Sequence, residues 1–453
     1  NEATNLYRIG THISARRFHA TVEQGRSDFR SDSSTNVTGT NLGNNLNPVL
    51  GQSLTLSSLF RATGVRGNGP YTRLTGTASP FSWLDVYAQY TQASPRNDVH
   101  MQQTATGSFV LLSQALFYSS LQGLSAASAR LPHKTANIGW ELRPLRRLRA
   151  TQSWNRDRLT SSSTASNIDQ LLSLPLSLTN STTSFLGVKE NRLETNLFFE
   201  GPRSITLRGG HRAVWGDAFG VILPAAGLPG SGPTSLHRQI GLGGITWRPG
   251  SRWSVSADAE VGTATSVWFR TSLYDYNKVR ATGRAQLTST LRLAVDYRIL
   301  HNDNPYSGPS YKFDTHQESA SLNWAPKNGK LDFDGSYEHC GYHSEIRYLV
   351  PQNLQPATSV YREYCHTISG TISGGVRSIV QGQQIKFIAG GAAVLTAGSR
   401  PTTYYQPIGR VTVPVTKQVA FFAEWRYYGL GETFYMYEAF RAHLLTTGLR
   451  FTR

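Results

Sequence analysis

The feature that most constrains this sequence is an alternation of apolar and polar residues, repeated in many short segments. From Trp253 to Val261 every odd-numbered residue is apolar and every even-numbered residue is polar. Similar alternation occurs in 291–299 and 419–428, with weaker copies in 193–199, 205–213, 331–337 and 385–389. Because successive side chains of a strand point to opposite faces of a sheet, each segment predicts a strand with one apolar face. Their number predicts an all-β fold.

Short connectors containing proline and glycine separate these segments. Pro249-Gly250 and Pro326 flank a further turn near Ser289, so the turns are 40 and 37 residues apart (249 to 289 and 289 to 326). Each interval has room for two strands and one loop. At roughly 20 to 24 residues per strand and connection, the sequence predicts about 20 strands, within a range of roughly 18 to 22.

Longer segments rich in Ser, Asn, Gly and Pro alternate with the short turns, as in 32–53, 219–235 and 301–310. They predict loops, so one end of the strands has short turns and the other has long loops. This polarity is typical of outer-membrane barrels, whose short turns are periplasmic and whose long loops are extracellular. The sequence therefore predicts a single domain over 1–453, a closed antiparallel transmembrane β-barrel. In 103–131 the pattern is least clear, because 109–118 fits either a strand or a helical lid.

Hydropathy is compatible with a membrane location. The mean hydropathy is −0.34, and no apolar run approaches the ~18 residues that a spanning helix needs. A barrel strand needs only about 10 residues, of which every second one meets lipid. The chain begins at Asn1 without an apolar leader, as expected for a mature exported protein. Tryptophans near strand ends predict interfacial aromatic girdles, namely Trp83, Trp140, Trp247, Trp253 and Trp324.

The net charge of +17 narrows the candidate partners. A basic chain attracts nucleic acid, anionic lipid or anionic solutes. The arginines are scattered along the chain and no nucleic-acid-binding motif surrounds them, so we expect no nucleic-acid partner. No acid, base and nucleophile are spaced so that they must converge, so we expect no catalytic residues and no enzyme activity.

The C-terminal segment carries a family resemblance. Leu445, Thr447, Leu449 and Phe451 form an apolar face similar to the C-terminal assembly signal of Gram-negative outer-membrane β-barrels, although Thr452 and Arg453 follow the aromatic residue here. Over nearly its whole length the chain resembles this class. Within the class, the turn repeats, the strand number and the many arginines resemble diffusion porins and the barrels that sheathe multihaem cytochromes in porin-cytochrome electron conduits.

The resemblance implies a location in the cell outer membrane, contact with its lipid, and one of three functions. The first is a porin-like passage for ions or small solutes, including anionic ones. The second is a sheath around a multihaem cytochrome, and the third is a scaffold for another periplasmic or surface protein. The chain lacks Cys-x-x-Cys-His, so we expect no covalently bound cofactor, and haem only through a partner subunit. The Cys-x-x-Cys that some conduit barrels carry near the N-terminus is also absent.

Alternation assigns a set of charged residues to the polar face, which faces the lumen of a barrel. Their mixed signs predict ion pairs along the wall, and the excess of arginine favours anions or an acidic partner. These residues are Arg192, Glu194, Arg208, Arg212, Asp258, Glu260, Arg292, Asp296, Arg298, Glu338, Lys386, Glu424, Arg426 and Arg450.

The two cysteines, Cys340 and Cys365, also fall on the polar face. If their strands pair with Cys340 opposite Cys365, Tyr337 meets Ile368 and Phe333 meets Ile372 on the apolar face. We expect a disulfide at the base of a long loop, because exported compartments are oxidising. Two free thiols are one alternative. The other is a metal site with His339, His343 and His366, but adjacent Cys-His pairs do not usually converge on one ion, so we expect no metal.

Overall fold

The computed structural model describes residues 2–41, 47–171, 176–223, 233–269, 271–305, 310–326, 331–350, 355–377, 384–416, 418–433 and 439–451. These residues form β-strands, with single 3-10 turns at Leu112–Gln114 and Pro202–Ser204. No helix in the described part is long and apolar enough to cross a membrane. The strands are β1 (Glu2–Ala15), β2 (Phe18–Asn41), β3 (Thr55–Phe81), β4 (Leu84–Ala93), β5 (Arg96–Leu111), β6 (Leu116–Arg130), β7 (His133–Leu145), β8 (Leu148–Leu171), β9 (Leu176–Glu200), β10 (Ile205–Leu223), β11 (Thr234–Gly250), β12 (Trp253–Ser266), β13 (Asp275–Gln286), β14 (Leu291–Asn304), β15 (Tyr311–Trp324), β16 (Leu331–Leu349), β17 (Pro356–Arg377), β18 (Gln384–Gly398), β19 (Thr402–Pro414), β20 (Val419–Glu432) and β21 (Phe440–Phe451).

All 21 strands belong to one sheet, and neighbouring strands pair in antiparallel ladders. The sequence prediction of an all-β antiparallel fold with about 20 strands is confirmed. From β12 to β21 the ladder continues without interruption from one hairpin to the next. A residue's face in any of these strands can therefore be read from the register.

Two of the breaks between strands are not turns, because Pro95 and Pro132 interrupt strands that continue in the same direction. β3 pairs with β5 along its first half and with β4 along its second half, and β4 and β5 then pair with β7 and β6. Proline has no N–H to donate to a ladder, which explains the breaks. Its carbonyl still accepts, since the amide of Leu131 donates to Pro95 at 2.9 Å. The 21 strands therefore occupy 19 positions across the sheet.

Connection lengths differ between the two ends of the strands. Two-residue connections join β1 to β2 at 16–17, β3 to β4 at 82–83, β7 to β8 at 146–147 and β11 to β12 at 251–252. At the opposite ends, 42–54 and 224–233 are the longest connections, although 399–401 between β18 and β19 has only three residues. The loops expected at 32–53, 219–235 and 301–310 begin later than predicted, because β2, β10 and β14 extend to Asn41, Leu223 and Asn304. Residues 42–46, 224–232 and 306–309 lie outside the described residues.

The unclear segment 109–118 is a hairpin and not a helical lid. Leu111 pairs with Leu116 across the 3-10 turn. The rings of Phe109 and Tyr118 lie 5.3 Å apart between their centroids. The alternation is weak here because large apolar residues occupy successive positions.

The chain divides into two compact units. The first comprises Asn1–Pro144, Arg149–Thr195 and Ala213–His237, and it contains the longest strands. The second comprises Leu145–Leu148, Asn196–Arg212 and Arg238–Arg453, and it contains β12 to β21. The expectation of a single domain over 1–453 stays a prediction.

Glycines paired with aromatic rings on the neighbouring strand recur in both units. In each pair the ring covers the glycine so closely that an added Cβ would lie between 2.0 and 2.8 Å from ring atoms. Such rings fill the space that the glycine leaves and fix the position of the paired strand. The pairs are Gly25 with Tyr71, Gly139 with Tyr87, Gly262 with Tyr276, Gly341 with His316, and Gly448 with Phe422.

We predict that Gly262→Ala destabilises the fold by about 1 to 3 kcal/mol, the usual cost of overpacking. The new methyl group would lie 2.1 Å from the ring of Tyr276, which is only 3% exposed and has no free space to move into. Gly283→Ala is the matched control, because nothing lies within 4 Å of its Cβ position. Free energies of unfolding in urea check this, and equal losses in the two variants would contradict it.

Candidate functional site

One face of β12 to β21 carries a continuous set of charged and polar side chains. The register links Asp258 to Arg280, Arg280 to Arg298, Arg298 to Gln317, and Gln317 to Cys340 and Cys365. All of these residues therefore share one face, here called the polar face. Of the charged residues predicted to line a lumen, the polar face carries Asp258, Glu260, Arg292, Asp296, Arg298, Glu338, Lys386, Glu424, Arg426 and Arg450.

The other four predicted residues lie in β9 and β10. Arg208 approaches Asp258 at 3.5 Å and Arg212 approaches Glu260 at 3.6 Å, so both reach the polar face. Arg192 lies in β9, where it pairs with Glu190 at 3.2 Å, and Glu194 lies two residues further along the same strand.

Two carboxylates on the polar face each lie between two arginines. Glu424, whose side chain is 8% exposed, pairs with Arg426 at 2.5 Å and with Arg410 of β19. Asp296 pairs with Arg298 at 2.6 Å and with Arg280 of β13 at 3.0 Å. In both triads one arginine comes from the same strand and one from the neighbouring strand. Triads of this kind tie adjacent strands together and leave a surplus of positive charge.

Sequence reasoning missed Arg280 and Arg410, although their positions follow the same alternation. Arg280 lies two residues after Lys278 in β13, and the residues on either side of it on the opposite face, Val279 and Ala281, are followed by Gly283. Small residues such as these produce a weak apolar signal. The pairing of β13 with β12 and β14 places Arg280 on the polar face, and the pairing of β19 with β20 places Arg410 there.

The opposite face of the same strands is apolar and exposed. Val255 and Val295 both face Gly283, and Val279 faces Ala259 and Ile299 on the same side of the sheet. Val261 of β12 is 62% exposed there. An exposed apolar surface of this extent is stable in contact with lipid. Further along β14 and β15 the same face becomes charged, since Lys312 pairs with Asp303 at 2.9 Å and His301 with Asp314. The exposed apolar surface, here called the apolar band, therefore ends where these charged pairs of β14 and β15 begin.

Aromatic and histidine residues lie at the two ends of this band. Trp324 faces Phe333 at the short-turn end. At the other end the rings of His339 and His366 lie 4.5 Å apart, and Tyr337 is hydrogen-bonded to His366 at 2.9 Å. This placement is typical of interfacial girdles. The histidines and the cysteines are on opposite faces, and among the described residues no group of three or more His, Cys, Asp or Glu could hold a metal ion.

The cysteine strands pair in the predicted register. Cys340 faces Cys365, Tyr337 faces Ile368, and Phe333 faces Ile372. Both cysteines are free thiols in the structure, so the disulfide itself is not formed in it. The sulfur of Cys365 lies 3.8 Å from the hydroxyl of Thr367 on the same face. The bond stays a prediction, for which the structure supplies the required pairing.

Two solved structures share the fold of this chain. It is similar to BauA, the ferric preacinetobactin receptor from Acinetobacter baumannii, with a TM-score of 0.56 and 12% sequence identity over 99% of this chain and 72% of that one. It is also similar to the siderophore receptor PirA from the same organism, with a TM-score of 0.50 and 6% identity over 98% of this chain and 73% of that one. No family model and no curated protein matches the sequence.

These similarities concern the fold. The chain has the fold of an outer-membrane β-barrel. This fold supports the predicted location in the outer membrane. The resemblance to porins and to conduit barrels stays a prediction.

We predict that Glu424→Ala destabilises the fold by about 2 kcal/mol. Breaking a buried ion pair by removing one partner typically costs about 3 to 5 kcal/mol, and solvent reaches both arginines here, which lowers the cost. Asp28→Ala is the control, since its pair with Arg26 is exposed and is expected to contribute less than about 1 kcal/mol. Urea unfolding of both variants checks this, and a loss no larger than that of the control would be evidence against a structural role for the triad.

We predict that protein folded under oxidising conditions contains the Cys340–Cys365 disulfide, because the two residues are directly opposite in the ladder. Non-reducing peptide mapping by mass spectrometry should find one linked peptide pair, and thiol titration should find no free thiol. Cys365→Ser should leave one titratable thiol. Two free thiols in the oxidised wild-type protein would show that the pair stays reduced.

Proposed function

We propose that this chain forms a passage across the outer membrane for ions and small solutes, with a preference for anions. The observation that carries the proposal is the division of one continuous ladder into an apolar exposed face and a polar face with paired charges. In an outer-membrane barrel the apolar face meets lipid and the polar face surrounds water. A wall of this kind supports conduction of hydrated solutes.

The preference for anions is supported by the charge on the polar face. Glu424 and Asp296 are each shared by two arginines, so positive charge remains after pairing. Lys386 adds a further cation on the same face. Positive charge on a pore wall raises the local concentration of anions and lowers that of cations.

A sheath around a haem-containing partner is a second candidate, supported by the same surplus of arginine, because guanidinium groups pair well with carboxylates such as haem propionates. Native purification with an absorbance spectrum separates the candidates. A stable complex with haem absorbance supports the sheath, and a stable partner without haem supports a scaffold. A chain that purifies alone supports the passage.

We predict that the purified chain conducts ions in planar lipid bilayers and passes chloride more readily than potassium. Lys386→Glu should lower the ratio of anion to cation permeability by roughly twofold or more, because it reverses a charge on the polar face. Arg362→Glu is the control, since the same reversal falls on the opposite face of β17 and should leave the ratio unchanged. The measurement is the reversal potential in a salt gradient. Absence of conductance at every voltage would contradict the proposed passage.

A further inference from the structure

Four arginines line one pocket at the short-turn end of β11 to β14. The pocket has a volume of about 460 Å³ and lies entirely within the second unit. Arg248 is near the end of β11, Arg252 is in the two-residue turn, and Arg284 and Arg292 are on the polar face of β13 and β14. These four residues are here called the arginine pocket. They come from separate parts of the sequence and meet only because the hairpins align.

The arginines of this pocket differ from the arginines of the two charge triads. Arg280, Arg298 and Arg410 each pair with a carboxylate. Among the described residues, no ion pair or side-chain hydrogen bond is made by Arg248, Arg252, Arg284 or Arg292, and none of the described residues that line the pocket is an Asp or Glu.

Four cations of the same sign around one pocket repel each other, which destabilises the fold unless an anion neutralises them. The fold elsewhere places a carboxylate between neighbouring arginines, as it does at Asp296. The unpaired cluster is therefore a place on the polar face where an anion from outside the chain would be strongly stabilised.

The surrounding groups determine which anion fits. A guanidinium presents a planar fork of N–H donors that matches two oxygens of a phosphate or carboxylate. Ser254 and Gln286 also line the pocket and add neutral donors. We propose that the arginine pocket binds a small oxyanion with two or more negative charges, of the phosphate or tricarboxylate class.

This site goes beyond the proposed passage, because binding does not require that the anion crosses the membrane. In the polarity of the fold the short turns are periplasmic. The pocket thus lies at the periplasmic mouth of the polar face, where it would hold an anion before entry or after exit.

The test is isothermal titration calorimetry on the full chain in uncharged detergent, with inorganic phosphate and with citrate as probes. We expect saturable binding of at least one probe, no detectable binding of chloride at the same concentrations, and affinity that falls as sodium chloride is added. Arg284→Gln and Arg292→Gln should each weaken binding by about tenfold, which corresponds to about 1.4 kcal/mol.

The control variant is Arg280→Gln, which removes the same charge from the same face but at a residue paired with Asp296. It should bind the probe as the wild type does. The heat-dependent shift in gel mobility shows that each variant is folded. No saturable binding, or equal weakening in Arg280→Gln and Arg284→Gln, would overturn the proposed site.

Three further outcomes separate this solute site from a lipid headgroup site and from the proposed passage. Binding that appears only with phosphatidic acid in nanodiscs, and not with free phosphate or citrate, would overturn a solute site in favour of a lipid headgroup. Conductance in bilayers without binding overturns the site and leaves the passage intact. Binding without conductance supports the site and contradicts the proposed passage.

Discussion

The antiparallel backbone ladder is the constraint on which the rest of this structure depends. In lipid, every backbone N–H and C=O must find a partner within the protein, and paired strands satisfy this requirement. The ladder also fixes which face each side chain occupies, because a slip of one residue would exchange the two faces. The charge triads and the cysteine pair all follow from one register that continues from β12 to β21.

Proline and glycine act within this ladder in different ways. Pro95 and Pro132 each remove one N–H donor from the ladder, but their carbonyls still accept and the strands continue in the same direction beyond them. Glycines such as Gly262 leave space that a ring on the next strand fills. The first feature divides a strand, and the second fixes the position of its neighbour.

The arginines of the polar face fall into two classes with different consequences. Those that share a carboxylate, such as Arg280 and Arg426, join neighbouring strands, and the carboxylate neutralises part of their charge. Those of the arginine pocket keep their charge available at one mouth of the face. The same residue type therefore joins strands in one place and, in another, has no carboxylate partner among the described residues.

By itself, the sequence determined the fold class, the approximate number of strands, the faces of the strands with clear alternation, and the register of one hairpin. These properties are local, because a two-residue period is visible within a single strand and Cys340 and Cys365 flank one loop. Only the tertiary structure decided that β2 extends to Asn41, that Pro95 divides a strand without a turn, and which arginines meet carboxylates. Those outcomes depend on offsets between strands. Arg248 and Arg292 share a pocket because several turns together set how far along the sheet each residue lies. No single segment of the sequence encodes that offset.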